Sequence, residues 1–313
     1  MPAVWVVLRR PTTIDKLCCW FNVRAVFAVA VTSMNNPYPD GMKRRRRGLP
    51  ANRELRDLAA GIHGEPKLLD LVHVTAVGAA RQIITAGQIE KHKCSVFNRE
   101  LVYTFVARPA YRFRTGAAKS DQINRFPFVF VISPEKLGRP YHIYPFDTGA
   151  GVAGLYGDSV DPFIPLEDYE LDSDLVGYRR HIAWAFGSNV AYYDGNLKAG
   201  LQDTLKQWQS VGRGCLKIAG LAGTGSNQPD KRASAIEVAY SEHLRLKDHV
   251  RLVVMPQQLI EDNGSNATLI EELRINGIDN WELYDWRPNE TPDFFADEIT
   301  RIIRRYLEGA GQL

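Results

Sequence analysis

Polar residues punctuate a series of short apolar runs along this chain. Leu71-Val72-His73-Val74-Thr75, Leu101-Val102-Tyr103-Thr104-Phe105-Val106-Ala107 and Ala235-Ile236-Glu237-Val238-Ala239-Tyr240 are each too short for a helix and are rich in β-branched and aromatic residues, so each predicts a strand. Phe126-Pro127-Phe128-Val129-Phe130-Val131-Ile132 predicts a buried strand, with Pro127 at an edge or early strand position. Trp281-Glu282-Leu283-Tyr284 predicts a short one. Helical spacing predicts helices over 54–63, over 77–86 with Gly87 as the stop, over 169–186 and 197–211, and around 269–274. A last amphipathic helix is expected over 293–307. There Phe294, Phe295, Ile299, Ile302, Ile303 and Tyr306 recur on one face among Arg301, Arg304 and Arg305.

Two glycine-rich stretches interrupt the pattern. Residues 144–156 lack the lysine and Ser/Thr of a Walker loop and read as a flexible loop near a site, with Asp147 as a candidate substrate contact. Residues 219–232 carry Gly, Ser, Asn and Pro too densely for regular structure and place a mobile loop immediately before Glu237.

A chain of 313 residues, 45% apolar and 24% charged, suits one elaborated soluble domain or two small ones. Cys18, Cys19, Cys94 and Cys215 show no paired spacing, which argues against a zinc site or a disulfide framework and makes a reducing cytoplasm the default location. His92, His142, His181, His243 and His249 stand in no metal-ligand spacing, and no Gly-x-Ser-x-Gly elbow is present. No run reaches the roughly 18 apolar residues of a membrane span, so no membrane partner is expected. The net charge of +3 matters less than its distribution, because Lys43-Arg44-Arg45-Arg46-Arg47 forms one block. Such a block either contacts phosphates or is a solvated linker. The first forty residues differ in texture from the rest. Residues 1–52 read as an N-terminal extension, poorly ordered or lying upstream of a true start at Met34 or Met42.

His73-x-Thr75, the stretch Tyr103-Thr104-Phe105-Val106-Ala107-Arg108-Pro109-Ala110-Tyr111, and Ile236-Glu237-Val238-Ala239-Tyr240 follow one another in an order that resembles the ADP-ribosyltransferase superfamily. Its active site is described by a His-Tyr-Glu motif from three strands. The tyrosine stretch is similar to those of the poly(ADP-ribose) polymerases and the DarT-type DNA ADP-ribosyltransferases. The resemblance covers about 69–256. It implies an α+β fold with a split β-sheet core and flanking helices. The domain so implied spans 53–256, with a helical insertion over about 160–212 that covers the cleft or selects the acceptor, and with an α/β extension over 257–313 packed on the core. It also makes Arg251-Leu252-Val253-Val254-Met255 the hairpin partner of the glutamate strand.

The implied donor substrate is NAD, with no metal. Breaking the nicotinamide glycosidic bond builds positive charge on the ribose, and a carboxylate aimed at that charge lowers the barrier. That role falls to Glu237, in preference to Glu242. The resemblance assigns cofactor contacts to His73, Thr75, Tyr103, Arg108 and Tyr111, with His73 on the adenosine ribose and Tyr103 stacked on nicotinamide. It assigns acceptor contacts to Asn227, Gln228, Lys231 and Arg232. Nucleic acid is the expected acceptor and a cognate antitoxin a possible partner, as for a toxin or phage-defence effector. NAD hydrolysis, transfer to an RNA 2'-phosphate, and a non-catalytic nucleic-acid-binding regulator are the alternatives.

Overall fold

The computed structural model describes residues 41–44, 52–62, 64–110, 118–222, 231–261 and 267–313, all within one compact unit. The strands are β1 Leu71–Ala76, β2 Gln88–Ile89, β3 His92–Cys94, β4 Arg99–Val106, β5 Pro127–Ile132, β6 His142–Tyr144, β7 Glu237–Tyr240, β8 Leu244–Arg245, β9 Val250–Pro256 and β10 Trp281–Tyr284. The helices are α1 Glu54–Ala60, α2 Val77–Ala86, α3 Thr148–Val152, α4 Leu175–Ala185, α5 Asn189–Asp194, α6 Leu201–Thr204, α7 Ser210–Gly220, α8 Leu246–His249, α9 Gln258–Glu261, α10 Ala267–Ile275 and α11 Ala296–Gly309. Eight strands form one sheet in the order β10-β9-β5-β1-β4-β7-β6, with β3 added to β4. Every pairing is antiparallel except β10 on β9, so the fold is α+β.

The internal strand β5, between β9 and β1, is buried at all six positions, which is why it reads as an unbroken apolar run. Pro127 tolerates this internal strand because it is the first residue, paired with Ala76 before β9 joins at Val129. On α2, Val77, Ala80 and Ile84 fall three and four residues apart and are buried, as their spacing predicts. Gly87 ends the helix with φ of 69°, a left-handed position that glycine adopts without a side-chain clash.

Other expectations are corrected. The strand β9 lies between β5 and β10 and does not touch β7, whose neighbours are β4 and β6. The turn after β7 sends β8 to β2 instead, which breaks the local hairpin that the sequence suggested. Residues 169–186 are not one helix. Leu166–Tyr169 is a 3-10 turn, and α4 starts only at Leu175, where the Asp174 side chain accepts from the Gly177 N–H at 2.7 Å. The expected helix over 197–211 resolves into the single turn α6 and the start of α7. Residues 144–156 form the end of β6 and α3, which is capped by Asp147 and largely buried, and not a loose loop.

The helices between the second and third motifs brace the strand ends. From α4, the Tyr178 hydroxyl donates to the Leu69 carbonyl at 3.2 Å and accepts from its N–H at 3.3 Å. From α5, the Tyr192 hydroxyl donates to the Val106 carbonyl at 2.9 Å and accepts from the Ile236 N–H at 3.1 Å. These two tyrosines join the entry of β1, the exit of β4 and the entry of β7. Residues 41–44 belong to the fold as well. Met42 is buried and donates its N–H to Gly151 O at 3.0 Å, and a side chain at Gly41 would stand 2.1 Å from Val152 O. Of the basic block, 45–47 lie outside the described residues. Arg44 is engaged internally, with Glu167, with the Val96 carbonyl and over the Phe97 ring at 4.6 Å.

Candidate functional site

The β1 and β4 ladder is only two residue pairs long, Leu71 with Val106 and Val72 with Phe105. Beyond Val72 the two strands part, and the sheet opens into a cleft of about 770 Å³. His73 marks the split. Its Nδ1–H donates to the Tyr103 carbonyl at 2.8 Å, closing a gap that the ladder leaves. A carbonyl can only accept, so Nε2 of the same ring carries a lone pair. Burial pulls the His73 pKa down and keeps the ring neutral. A neutral imidazole with a free acceptor nitrogen suits a ligand hydroxyl.

Tyr103 sits on β4 opposite Ala239, and Phe105 sits opposite Glu237. Residues directly opposite share a face, and alternate residues on one strand share it too, so Tyr103, Phe105 and Glu237 lie on one side of the sheet. On the other side of β7, His142 pairs with Ala239 and Tyr144 with Glu237. His73, Thr75, Tyr103 and Glu237 all line the cleft, joined by Asp147, Thr148 and Cys94. The Tyr103 hydroxyl donates to the Cys94 sulfur at 2.9 Å. Burial first, and then the Glu237 charge, hold the phenol well above its ordinary pKa, so the ring stays neutral.

Glu237 is 3% exposed, yet its carboxyl group is fully engaged. Oε1 accepts from the Thr148 hydroxyl at 2.8 Å and lies 3.2 Å from His142 Nε2, while Oε2 accepts from the Thr148 N–H at 3.1 Å. Burial pushes the carboxyl up to about 8, against the two Thr148 donors that pull it down. His142 is 2% exposed and burial lowers it to about 3, so the ring is neutral. Its Nδ1 meets no protein partner among the described residues, which favours the tautomer with the proton on Nε2, aimed at the carboxyl group. The Phe97 ring packs over His142 at 4.2 Å.

Arg108 does not line the cleft, contrary to its expected cofactor role. It is buried, donates to the Ser234 carbonyl at 3.0 Å and to the Ser234 hydroxyl at 2.5 Å, and lies over the Tyr192 ring at 5.7 Å. It ties the exit of β4 to the approach of β7. Ala107, just before it, has φ of 56°, a left-handed conformation at the end of β4. Arg232, expected on the acceptor, is half-buried with Nη1 3.6 Å from Asp147 Oδ2. It steadies the residue that caps α3. Tyr111, Asn227 and Gln228 lie outside the described residues, as does the Lys231 side chain. Glu242 is exposed and does not line the cleft, which leaves Glu237 as the buried carboxyl group there.

Sequence reasoning passed over His142 and Thr148. No local spacing signals them, since Thr148 and Glu237 stand 89 residues apart and meet through the β6–β7 pairing. Among the described residues no helix is long and apolar enough to cross a membrane, and no group of three or more His, Cys, Asp or Glu side chains is placed to hold a metal ion. No protein-family model matches the chain, and no curated protein matches it.

Proposed function

We propose that this chain is an NAD-dependent ADP-ribosyltransferase that carries ADP-ribose to a macromolecular acceptor, with nucleic acid the preferred class. One observation carries the reading. A histidine, a tyrosine and a buried glutamate, far apart in sequence, stand on the adjacent strands β1, β4 and β7 and line one cleft where the sheet parts. Its volume of about 770 Å³ falls within the roughly 300–1,000 Å³ of small-molecule and cofactor sites.

In this reading the His73 Nε2 accepts from a ribose hydroxyl, and the Tyr103 ring offers its face to the nicotinamide. Glu237 as carboxylate stabilises the positive charge that builds on the ribose when the glycosidic bond breaks, with nicotinamide leaving on the bonding electron pair. Glu237 then takes the proton that the acceptor loses as it bonds to the ribose carbon. Among the described residues the charged side chains around the cleft are Glu90, Lys93, Asp147 and Glu237, with His92 at its rim, so this wall is not a strongly basic surface.

The test is to incubate the purified protein with NAD labelled in its adenine half, separately with single-stranded DNA, RNA and total protein. Label retained on one polymer class supports transfer and names the acceptor. Release of free ADP-ribose in every arm replaces transfer with NAD hydrolysis on the same residues. Loss of the 2'-phosphate from RNA that bears one, with the label released as a phosphorylated ADP-ribose and not held on the polymer, identifies the phosphotransferase.

A further inference from the structure

Three donors converge on the Glu237 carboxyl group, and two of them belong to one residue. The Thr148 hydroxyl and N–H reach different oxygens at 2.8 and 3.1 Å, and His142 Nε2 approaches from the edge strand at 3.2 Å. Their placement follows from the chain path. Pairing of Tyr144 with Glu237 brings β6 alongside, and Asp147 then turns the chain into α3 by accepting from the Ala150 N–H at 2.9 Å. That turn sets Thr148 against Glu237. Donors that gather on both oxygens favour the charged form, since a carboxylate accepts more strongly at each oxygen than a protonated carboxyl group does.

This inference rests on the catalytic reading of Glu237. We propose that Thr148, backed by His142, is a positioning residue that fixes one rotamer of Glu237 and keeps its carboxylate available to the reacting ribose. The other groups around Glu237 do not take this role. Tyr103 on β4 and Tyr144 on β6 are neutral, because burial raises both phenols far above their ordinary range. Asp147, ahead of α3, has Arg232 from the approach to β7 at its Oδ2. Substituting the Thr148 hydroxyl therefore changes the environment of Glu237 without changing the charge of the cleft.

Thr148→Val removes the hydroxyl at nearly constant shape, and Thr148→Ser keeps it. Loss of one hydrogen bond to a charged group corresponds to roughly a ten- to hundredfold shift in ionisation. The acid side of the pH profile of kcat/KM for NAD should therefore move upward by about one to two pH units in Thr148→Val. Turnover at pH 7 falls accordingly and recovers at alkaline pH, with KM nearly unchanged, while Thr148→Ser stays close to the native profile. A rate loss in Thr148→Val that is the same at every pH, or no loss, overturns the proposal.

A second arm needs no turnover. Carboxyl carbon NMR of glutamate-labelled full-length protein, with the Glu237 signal assigned by its absence in Glu237→Gln, reads the titration directly. Its midpoint should rise in Thr148→Val, and an unmoved midpoint overturns the positioning role. If the native protein consumes no NAD, the catalytic reading fails, and this titration still decides whether Thr148 favours the charged form of Glu237.

Discussion

Glu237→Gln should reverse its effect on stability between acid and alkaline pH. In the folded protein Glu237 titrates at about 8, against 4.5 for an ordinary glutamate. Below pH 4.5 the folded and unfolded chains both hold the proton. Between 4.5 and 8 the unfolded chain has released it and the folded chain still binds it, so stability falls as pH rises, by about 1.4 kcal/mol per pH unit. Above pH 8 the loss is complete and on the order of 5 kcal/mol for this one group. Glutamine has no such ionisation, but its amide nitrogen cannot accept, so one of the donors around position 237 loses its partner at a cost of about 1–3 kcal/mol. At pH 5 Glu237→Gln should therefore be the less stable protein by about that amount. At pH 9 it should be the more stable by about 2 kcal/mol or more, the ionisation penalty less the lost donor. Urea unfolding at pH 5, 7 and 9 reads both values with the slope as a check on the unfolding reaction. A difference between the two proteins that is flat in pH refutes the reasoning, since Glu237 would then titrate as an exposed glutamate does. The crossing also fits a functional residue, because a buried carboxylate that costs stability is retained for its chemistry.

Further outcomes follow from the same geometry. Arg108→Ala should destabilise the fold by on the order of 3 kcal/mol in thermal or urea unfolding, because the Ser234 carbonyl loses a buried donor and the Tyr192 ring its neighbour. Native stability with selective loss of NAD binding would return Arg108 to the cofactor. Tyr103→Ala should weaken NAD binding by about 1 kcal/mol, read by calorimetry, while Tyr103→Phe keeps the ring and binds nearly as the native protein does. Equal losses in the two would place the effect in the hydroxyl contact to Cys94. Tyr178→Phe should cost about 1 kcal/mol of stability through the lost Leu69 bonds and leave the KM for NAD unchanged. A raised KM would mean that the helices after α3 reach the cleft.

What the sequence carried well was local. The α2 helix and its Gly87 stop, the run of β5 and the four residues of β10 are each specified by spacing or by one conformational requirement, and all lie where the pattern put them. Elements set by distant partners were less legible. The proximity of β9 to β7 in the chain suggested a hairpin, and only the pairing of β8 with β2 shows why none forms. His142 looked like an isolated histidine because it stands in no metal-ligand spacing with an acidic residue. Its partner is Glu237, reached across the sheet. Arg108 stood in a motif with Tyr103, yet its guanidinium is bonded to Ser234 and does not line the cleft. The strand residues His73, Thr75, Tyr103 and Glu237 were identifiable as candidates one by one. Their assembly in one cleft depends on the short β1–β4 ladder, which no local pattern encodes.

The most direct measurement of the central claim is nicotinamide release from labelled NAD by the purified full-length protein, beside Glu237→Gln at pH 8, where the native carboxyl group is substantially ionised. The account predicts release by the native protein and its loss by a hundredfold or more, roughly the worth of one preorganised electrostatic contact, in the variant. Equal release by both proteins, or none by the native one under any acceptor condition, would contradict it.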